Sequence, residues 1–188
     1  MGDGKSHLLE FKVNDLALGE KGSELKLAQP GSVKVQLKVA ALLNEKPNTD
    51  IRNLPYVDKP YWDIERARIG DSREVPVELI VNGYPVAKQK IVADGTLRDL
   101  TFDAKIERSS WVAVRILPSS HTNPIWVQVS EKQVRASKRS AEWCLKGVDQ
   151  CWSQKQRFIK ADEMEQAKQD YEHARQAYRK ILGECEVD

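Results

Sequence analysis

Between residues 33 and 39 every second side chain is apolar: Val33, Val35, Leu37 and Val39 alternate with Lys34, Gln36 and Lys38. A period of two sends successive side chains to opposite faces of an extended chain. Such a segment buries one face and wets the other only as a strand. Val75, Val77, Leu79 and Val81 repeat the pattern, and Asn82-Gly83 follows them. That pair readily takes positive φ at both centres of a type I′ turn, so residues 84–92 are predicted to fold back as the second arm of a β-hairpin. Asp94-Gly95 predicts another tight turn, leading into Leu100, Phe102, Ala104 and Ile106 on one face.

Residues 111–117 are apolar on both faces apart from Arg115, the pattern of a central strand covered on both sides. Ile125, Val127 and Val129 form a last alternating run, and residues 7–13 and 24–28 are weaker strand candidates. Many short strands separated by turn chemistry predict an antiparallel β-sandwich over residues 1–134. The stretch 44–61 breaks the pattern. Pro47, Pro55 and Pro60, with Asn48, Asn53 and Asp58, oppose regular pairing and predict a long loop, a place where partners are often met.

After Arg135 the period changes. Ser137 or Ser140 can cap a helix carrying Ala141, Leu145, Val148 and Trp152. A break at 158–160 precedes a second stripe of Met164, Ala167, Tyr171, Ala174, Tyr178 and Ile181, stepping by three and four. Asp162, Glu163 and Glu165 suit its start, Arg175, Arg179 and Lys180 its end, and Gly183 is expected beyond it. Residues 135–188 therefore predict an antiparallel αα-hairpin, giving an α+β chain: a β-sandwich followed by a helical hairpin. Two short helices bury too little apolar area to stand alone and are expected to pack on the sandwich or on a partner domain. Trp143, off the Leu145 stripe, suits that second contact.

The 188 residues carry 30 basic and 28 acidic side chains, a net charge of +2, which argues against a nucleic-acid or membrane partner. Residues 135–160 are locally basic, but an amphipathic helix there needs its aromatics for packing. The start of the chain has no apolar segment of the kind that directs secretion, so the expected location is cytoplasmic by default, although a longer parent could be exported. Cys144, Cys151 and Cys185 form no CxxC and are an odd number, which opposes a disulfide framework or zinc knuckle. Cys144 and Cys151 share a heptad position and are expected to be buried thiols.

Chemistry needs convergent groups, and the patterns that signal them are missing. His7, His121 and His173 stand far apart, with no H-x-H or H-E-x-x-H spacing to seed a metal site. No serine sits in a G-x-S-x-G elbow, and no glycine-rich phosphate loop is present. No cofactor is implied. The mixed-charge run of Asp63, Glu65, Arg66, Arg68, Asp71 and Arg73 reads as ion pairs on a solvated face. The densest polar segment runs from Ser119 to Pro124, between two strong strands. Its side chains either satisfy backbone groups at a turn or form a rim that meets a ligand or partner domain. In the second case the contact residues are Trp111, Arg115, His121, Asn123 and Trp126, with Trp143 on the helix.

One set of motifs, taken in order, is more specific. These are Gly2-Asp3-Gly4-Lys5-Ser6-His7-Leu8, Lys59-Pro60-Tyr61-Trp62, Ile64-Glu65-Arg66-Ala67-Arg68-Ile69-Gly70 and Val75-Pro76-Val77-Glu78. They continue with Ser109-Ser110-Trp111-Val112-Ala113, Ser120-His121-Thr122-Asn123-Pro124, Arg135-Ala136-Ser137 and Ala141-Glu142-Trp143-Cys144. Together they resemble the C-terminal region of CehA/McbA-type metallohydrolases, the carbaryl hydrolase-like group of the PHP superfamily, over nearly the whole chain. The resemblance implies a module rather than an enzyme. In that family the metal-dependent hydrolytic domain lies upstream and begins its histidine motifs with an H-x-H, so no catalytic or metal-binding residue carries over. A histidine commonly follows the Tyr-Trp pair in the family, and here Asp63 takes that place.

The expected function is a non-catalytic accessory domain that docks on or stabilises a PHP metallohydrolase domain; one alternative is a part of a hydrolase that functions only when joined to such a domain. The chain could be a truncated or split gene product. A homo-oligomer formed through an apolar patch is the other expected partnership. The rival readings are an independent ligand-binding module, using the Trp111–Trp126 region or the proline-rich loop, and an autonomous enzyme assembled from distant segments.

Overall fold

A computed structural model describes residues 4–55 and 57–185. The chain is α+β, with mostly antiparallel sheets followed by helices, and it divides into two compact units, Met1–Val134 and Arg135–Asp188.

In the first unit, one sheet has the order β2-β1-β4-β7, built from β1 (Ser6–Val13), β2 (Leu16–Ala17), β4 (Gly31–Ala41) and β7 (Arg98–Ile106). The other has the order β3-β10-β8-β5-β6, from β3 (Glu24–Leu27), β5 (Glu74–Val81), β6 (Tyr84–Val92), β8 (Ser110–Ile116) and β10 (Ile125–Val129), with β9 (Ser120–His121) paired to β8. The alternation of β4 does what a half-wet strand requires. Val33, Val35, Leu37 and Val39 are buried, while Lys34 is exposed and Lys38 half-exposed. They join one apolar cluster with Val75, Val77 and Leu79 of β5, Val112, Val114 and Ile116 of β8, and Ile125 and Val127 of β10.

Turn chemistry fixes the register. Asn82 and Gly83 have φ of 52° and 91°, and β6 returns on β5 with Val81 opposite Tyr84. After Asp94-Gly95 the chain does not return on β6: it passes from the second sheet to the first, where β7 pairs with β4. One pairing departs from the antiparallel expectation, since β3 runs parallel to β10. The two strands are separated by most of the unit, so no turn between them dictates their relative direction. β8 is central in its sheet, but only one of its faces is fully covered. Val112, Val114 and Ile116 are buried, whereas Trp111 and Arg115 are half-exposed and Leu117 lies beyond the strand, exposed.

The stretch 44–61 is not structureless. It carries α1 (Thr49–Asn53), started by the Asn48 side chain, whose Oδ1 accepts a hydrogen bond from the Ile51 amide at 3.1 Å. The prolines lie outside that turn and do not interrupt it.

The second unit contains α2 (Lys138–Lys155) and α3 (Met164–Glu184). Ser137 caps α2 by accepting from the Ser140 amide at 3.1 Å. The helices touch at several points. Trp152 lies against Tyr171 with ring centroids 4.9 Å apart and Arg175 Nε donates to Asp149 at 2.7 Å, while Arg135, ahead of α2, donates through Nε to Glu184 at 2.6 Å. Gly183 lies inside α3, not beyond it; the helix ends where Cys185 turns extended. Its last turn consequently holds no basic residue. Arg175 and Arg179 instead meet Asp149 and Glu172 along the helix sides. The cysteines are half-buried, and Cys151 Sγ sits 3.2 Å from Tyr171 Oη, because two packed helices cover a stripe from one side only. Among the described residues, no helix is long and apolar enough to cross a membrane.

Candidate functional site

The face of β8 turned away from the core carries Trp111, Ala113 and Arg115, by strand alternation. On β10, Trp126 lies directly opposite Trp111 in the antiparallel register. Ile80 stands beside Ala113 across β5, and Glu78 stands opposite Arg115 and accepts from its Nε at 2.9 Å. The β5–β6 turn borders Trp111 at Gly83, where a Cβ would lie in ordinary contact, 3.8 Å from the ring. All of these except Glu78, with Leu117, Pro118, His121, Asn123 and Pro124, line a concavity of about 420 Å³. That volume falls within the range of about 300–1,000 Å³ typical of ligand pockets.

The turn 117–124 forms one wall and is fastened from beneath. Thr122 donates its amide to the Val114 carbonyl at 2.9 Å, and its Oγ1 accepts from the Val114 amide at 3.1 Å. Buried Ser119 lies 2.6 Å from Ser6 Oγ, which also donates to Ser120 at 2.8 Å. These hydroxyls hold the turn in shape. His121 pairs with Arg115 in the β9–β8 register, and its Nδ1 lies 3.1 Å from the Thr122 carbonyl. A carbonyl only accepts, so Nδ1 carries the hydrogen in this contact and Nε2 is left to the rim. What remains at the rim is a mixed set: Nη donors of Arg115, Nε2 of His121 and the exposed Asn123 amide, around an apolar floor.

Trp111, Arg115, His121, Asn123 and Trp126 are thus brought to one place. Trp143 is not among its lining residues; it is on α2 and 75% exposed. His7 lies on β1 and His173 on α3.

The mixed-charge run holds what the sequence reading missed. Glu65 and Arg68 form a buried ion pair, with side chains 4% and 0% exposed, where a solvated face was expected. Arg68 Nε and Nη2 donate to the two Glu65 carboxylate oxygens at 2.6 and 2.9 Å. Its remaining donors reach the Ser72 carbonyl at 2.9 Å and the Asn44 carbonyl at 2.8 Å. One guanidinium therefore ties together both ends of the excursion 44–72. Burial pushes the Glu65 carboxyl upward, but the Arg68 hydrogen bonds, the Asn48 amide and the charges of Arg68 and Arg52 outweigh it and hold the group below its ordinary value of 4.5. Asp63, also buried, caps the turn by accepting from the Glu65 amide at 2.8 Å and meets Lys5 at 3.6 Å. The available signal was the Glu65-x-x-Arg68 spacing between Ile64, Ala67 and Ile69, apolar neighbours unusual for a wet charge run.

The tied excursion presents an apolar apex. Val57 is 87% exposed and Tyr61 65%, and the Tyr61 and Trp62 rings meet edge-on with centroids 4.8 Å apart.

No family model matches the chain, and no curated protein matches it. Among solved structures it is similar to a CARDB domain from Pyrococcus furiosus crystallised with di-metal ions, at a TM-score of 0.34 and 11% identity over 66% of this chain and 94% of that one. It is also similar to a beta-glucosidase from Listeria innocua in complex with isofagomine, at a TM-score of 0.32 and 14% identity over 69% of this chain and 17% of that one. Likenesses this weak carry no argument about activity.

Proposed function

We propose that this chain is a non-catalytic accessory module that binds a partner domain through the Trp111–Trp126 concavity, and that the partner is a PHP-type metallohydrolase domain. In this reading the two sheets are the layers of a β-sandwich, supported by their sharing one apolar cluster. The two helices form an antiparallel hairpin, supported by contacts that step inward from both ends: Arg135 with Glu184, then Asp149 with Arg175, then Cys151 with Tyr171. The observation that carries the functional reading is the concavity itself. Its hydroxyls are engaged with the protein's own backbone or with each other, while its indoles and the rim donors face outward. Such a surface binds by shape and apolar contact, with a few polar groups fixing orientation. The identity of the partner rests on the motif resemblance alone.

Titration of the purified chain with a hydrolase domain bearing the H-x-H motif, followed by calorimetry, tests this. Saturable binding that weakens at least 10-fold in Trp126→Ala is the expected result. Binding indifferent to both Trp126→Ala and Trp111→Ala would place the contact elsewhere and defeat the proposal.

A further inference from the structure

We infer that the chain also pairs with a second copy of itself, each copy seating its Val57–Tyr61 apex in the Trp111–Trp126 concavity of the other. The inference rests on the reading of that concavity as a binding site and names a second occupant for it. The apex is fixed before it meets anything. The Asp58 and Lys59 amides donate to the Pro55 carbonyl at 3.0 and 3.1 Å, Arg66 Nη1 donates to the Tyr61 carbonyl at 2.9 Å, and Arg68 ties the base. A rigid knob loses little entropy on docking.

Charge matches as well as shape. Asp58, beside Val57, is exposed and has no ion-pair partner among the described residues, while Arg115 sits at the rim of the concavity. Arg115 meets Glu78 through Nε, and a guanidinium has further donors for a second carboxylate. By contrast, the excursion sets Lys46, Lys59, Arg52 and Arg66 against Glu45, Asp50, Asp58 and Asp71, a balance that gives an anionic lipid surface no handle.

Area decides the form of the assembly. Aromatic side chains bury about 150–250 Å² each when fully covered, so the exposed parts of Val57, Tyr61 and the adjoining Trp62 together cover on the order of 400 Å² per side. A single contact falls short of the roughly 1,200 Å² of total buried surface that stable interfaces reach, and two reciprocal contacts exceed it. The expected assembly is therefore a closed, two-fold pair, in competition with hydrolase-domain binding for the same concavity.

Sedimentation velocity of the full chain across a range of concentrations tests this, with Val57→Asp and Trp126→Ala as variants on exposed positions and circular dichroism to confirm that each is folded. Wild type should dimerise reversibly, each variant alone should weaken dimerisation at least 10-fold, and Asp58→Arg should weaken it less. A mixture of Val57→Asp with Trp126→Ala retains one intact apex facing one intact concavity, and should form a 1:1 pair tighter than either variant makes alone. A wild-type chain that stays monomeric, a dimer that ignores both substitutions, or a mixture without recovery overturns the inference. If the hydrolase domain still binds in those cases, the concavity stands as a site and only this occupant is wrong. If that binding is absent too, both readings fall.

Discussion

Replacing Arg68 with Met removes the guanidinium while keeping most of the volume of its stem. The Glu65 carboxylate then stays buried without its partner, and the Asn44 and Ser72 carbonyls lose the donors they have at 2.8 and 2.9 Å. Breaking a buried pair from one side costs about 3–5 kcal/mol, because an uncompensated charge is left behind. We expect a loss of about 4 kcal/mol in the first unit, since orphaned buried carbonyls add in the same direction. Urea unfolding followed by tryptophan fluorescence reads this directly. At a slope of about 2 kcal/mol per M the midpoint should fall by roughly 2 M. The double variant Glu65→Leu/Arg68→Met removes both charges and should recover much of the loss, an interaction energy that a double-mutant cycle isolates. A single variant that loses less than about 1 kcal/mol, or a double variant worse than the two singles combined, refutes the claim that this pair fastens the excursion.

Other expectations follow from the same geometry. Because the native Glu65 carboxyl titrates below its ordinary 4.5, its contribution to stability is complete above about pH 4.5 and drains as pH falls through the native value. Unfolding midpoints measured from pH 7 to pH 3 should show that loss, and Glu65→Gln should flatten it; an unchanged profile speaks against it. Gly83→Ala places a side chain at φ 91° in the β5–β6 turn and should cost about 1–2 kcal/mol. Gly147→Ala, with open space around the new Cβ inside α2, should gain about 0.5–1 kcal/mol, so thermal melts of the two should shift in opposite directions. Ser137→Ala removes the α2 cap and should cost about 1 kcal/mol, read from helix ellipticity on heating, with Ser137→Asp retaining most of it.

Local pattern carried much of this architecture. The lysine-valine alternation of β4 and the Asn82-Gly83 turn are short-range signals, and the chain obeys them. What escaped was decided at long range. Nothing near residues 24–27 states that they pair in parallel with residues 126–129, since that register depends on contacts a hundred positions apart. The Glu65–Arg68 pair escaped for a related reason. Charge density predicts solvent, and only the tertiary course of the chain brings the carbonyls of Asn44 and Ser72 to the guanidinium. The concavity was more legible, because β-strand alternation alone places Trp111 and Arg115 on one face and the turn 119–124 beside it. Trp143, singled out because it lies off the Leu145 stripe, belongs to the other unit.

The account turns on whether this chain binds rather than transforms what it meets. The direct measurement is hydrolysis of an activated aryl ester by the purified full chain, with manganese or zinc supplied and with a chelator as control. We predict release at the buffer rate in every condition. Turnover above that rate, abolished by the chelator and restored by the metal, contradicts the account.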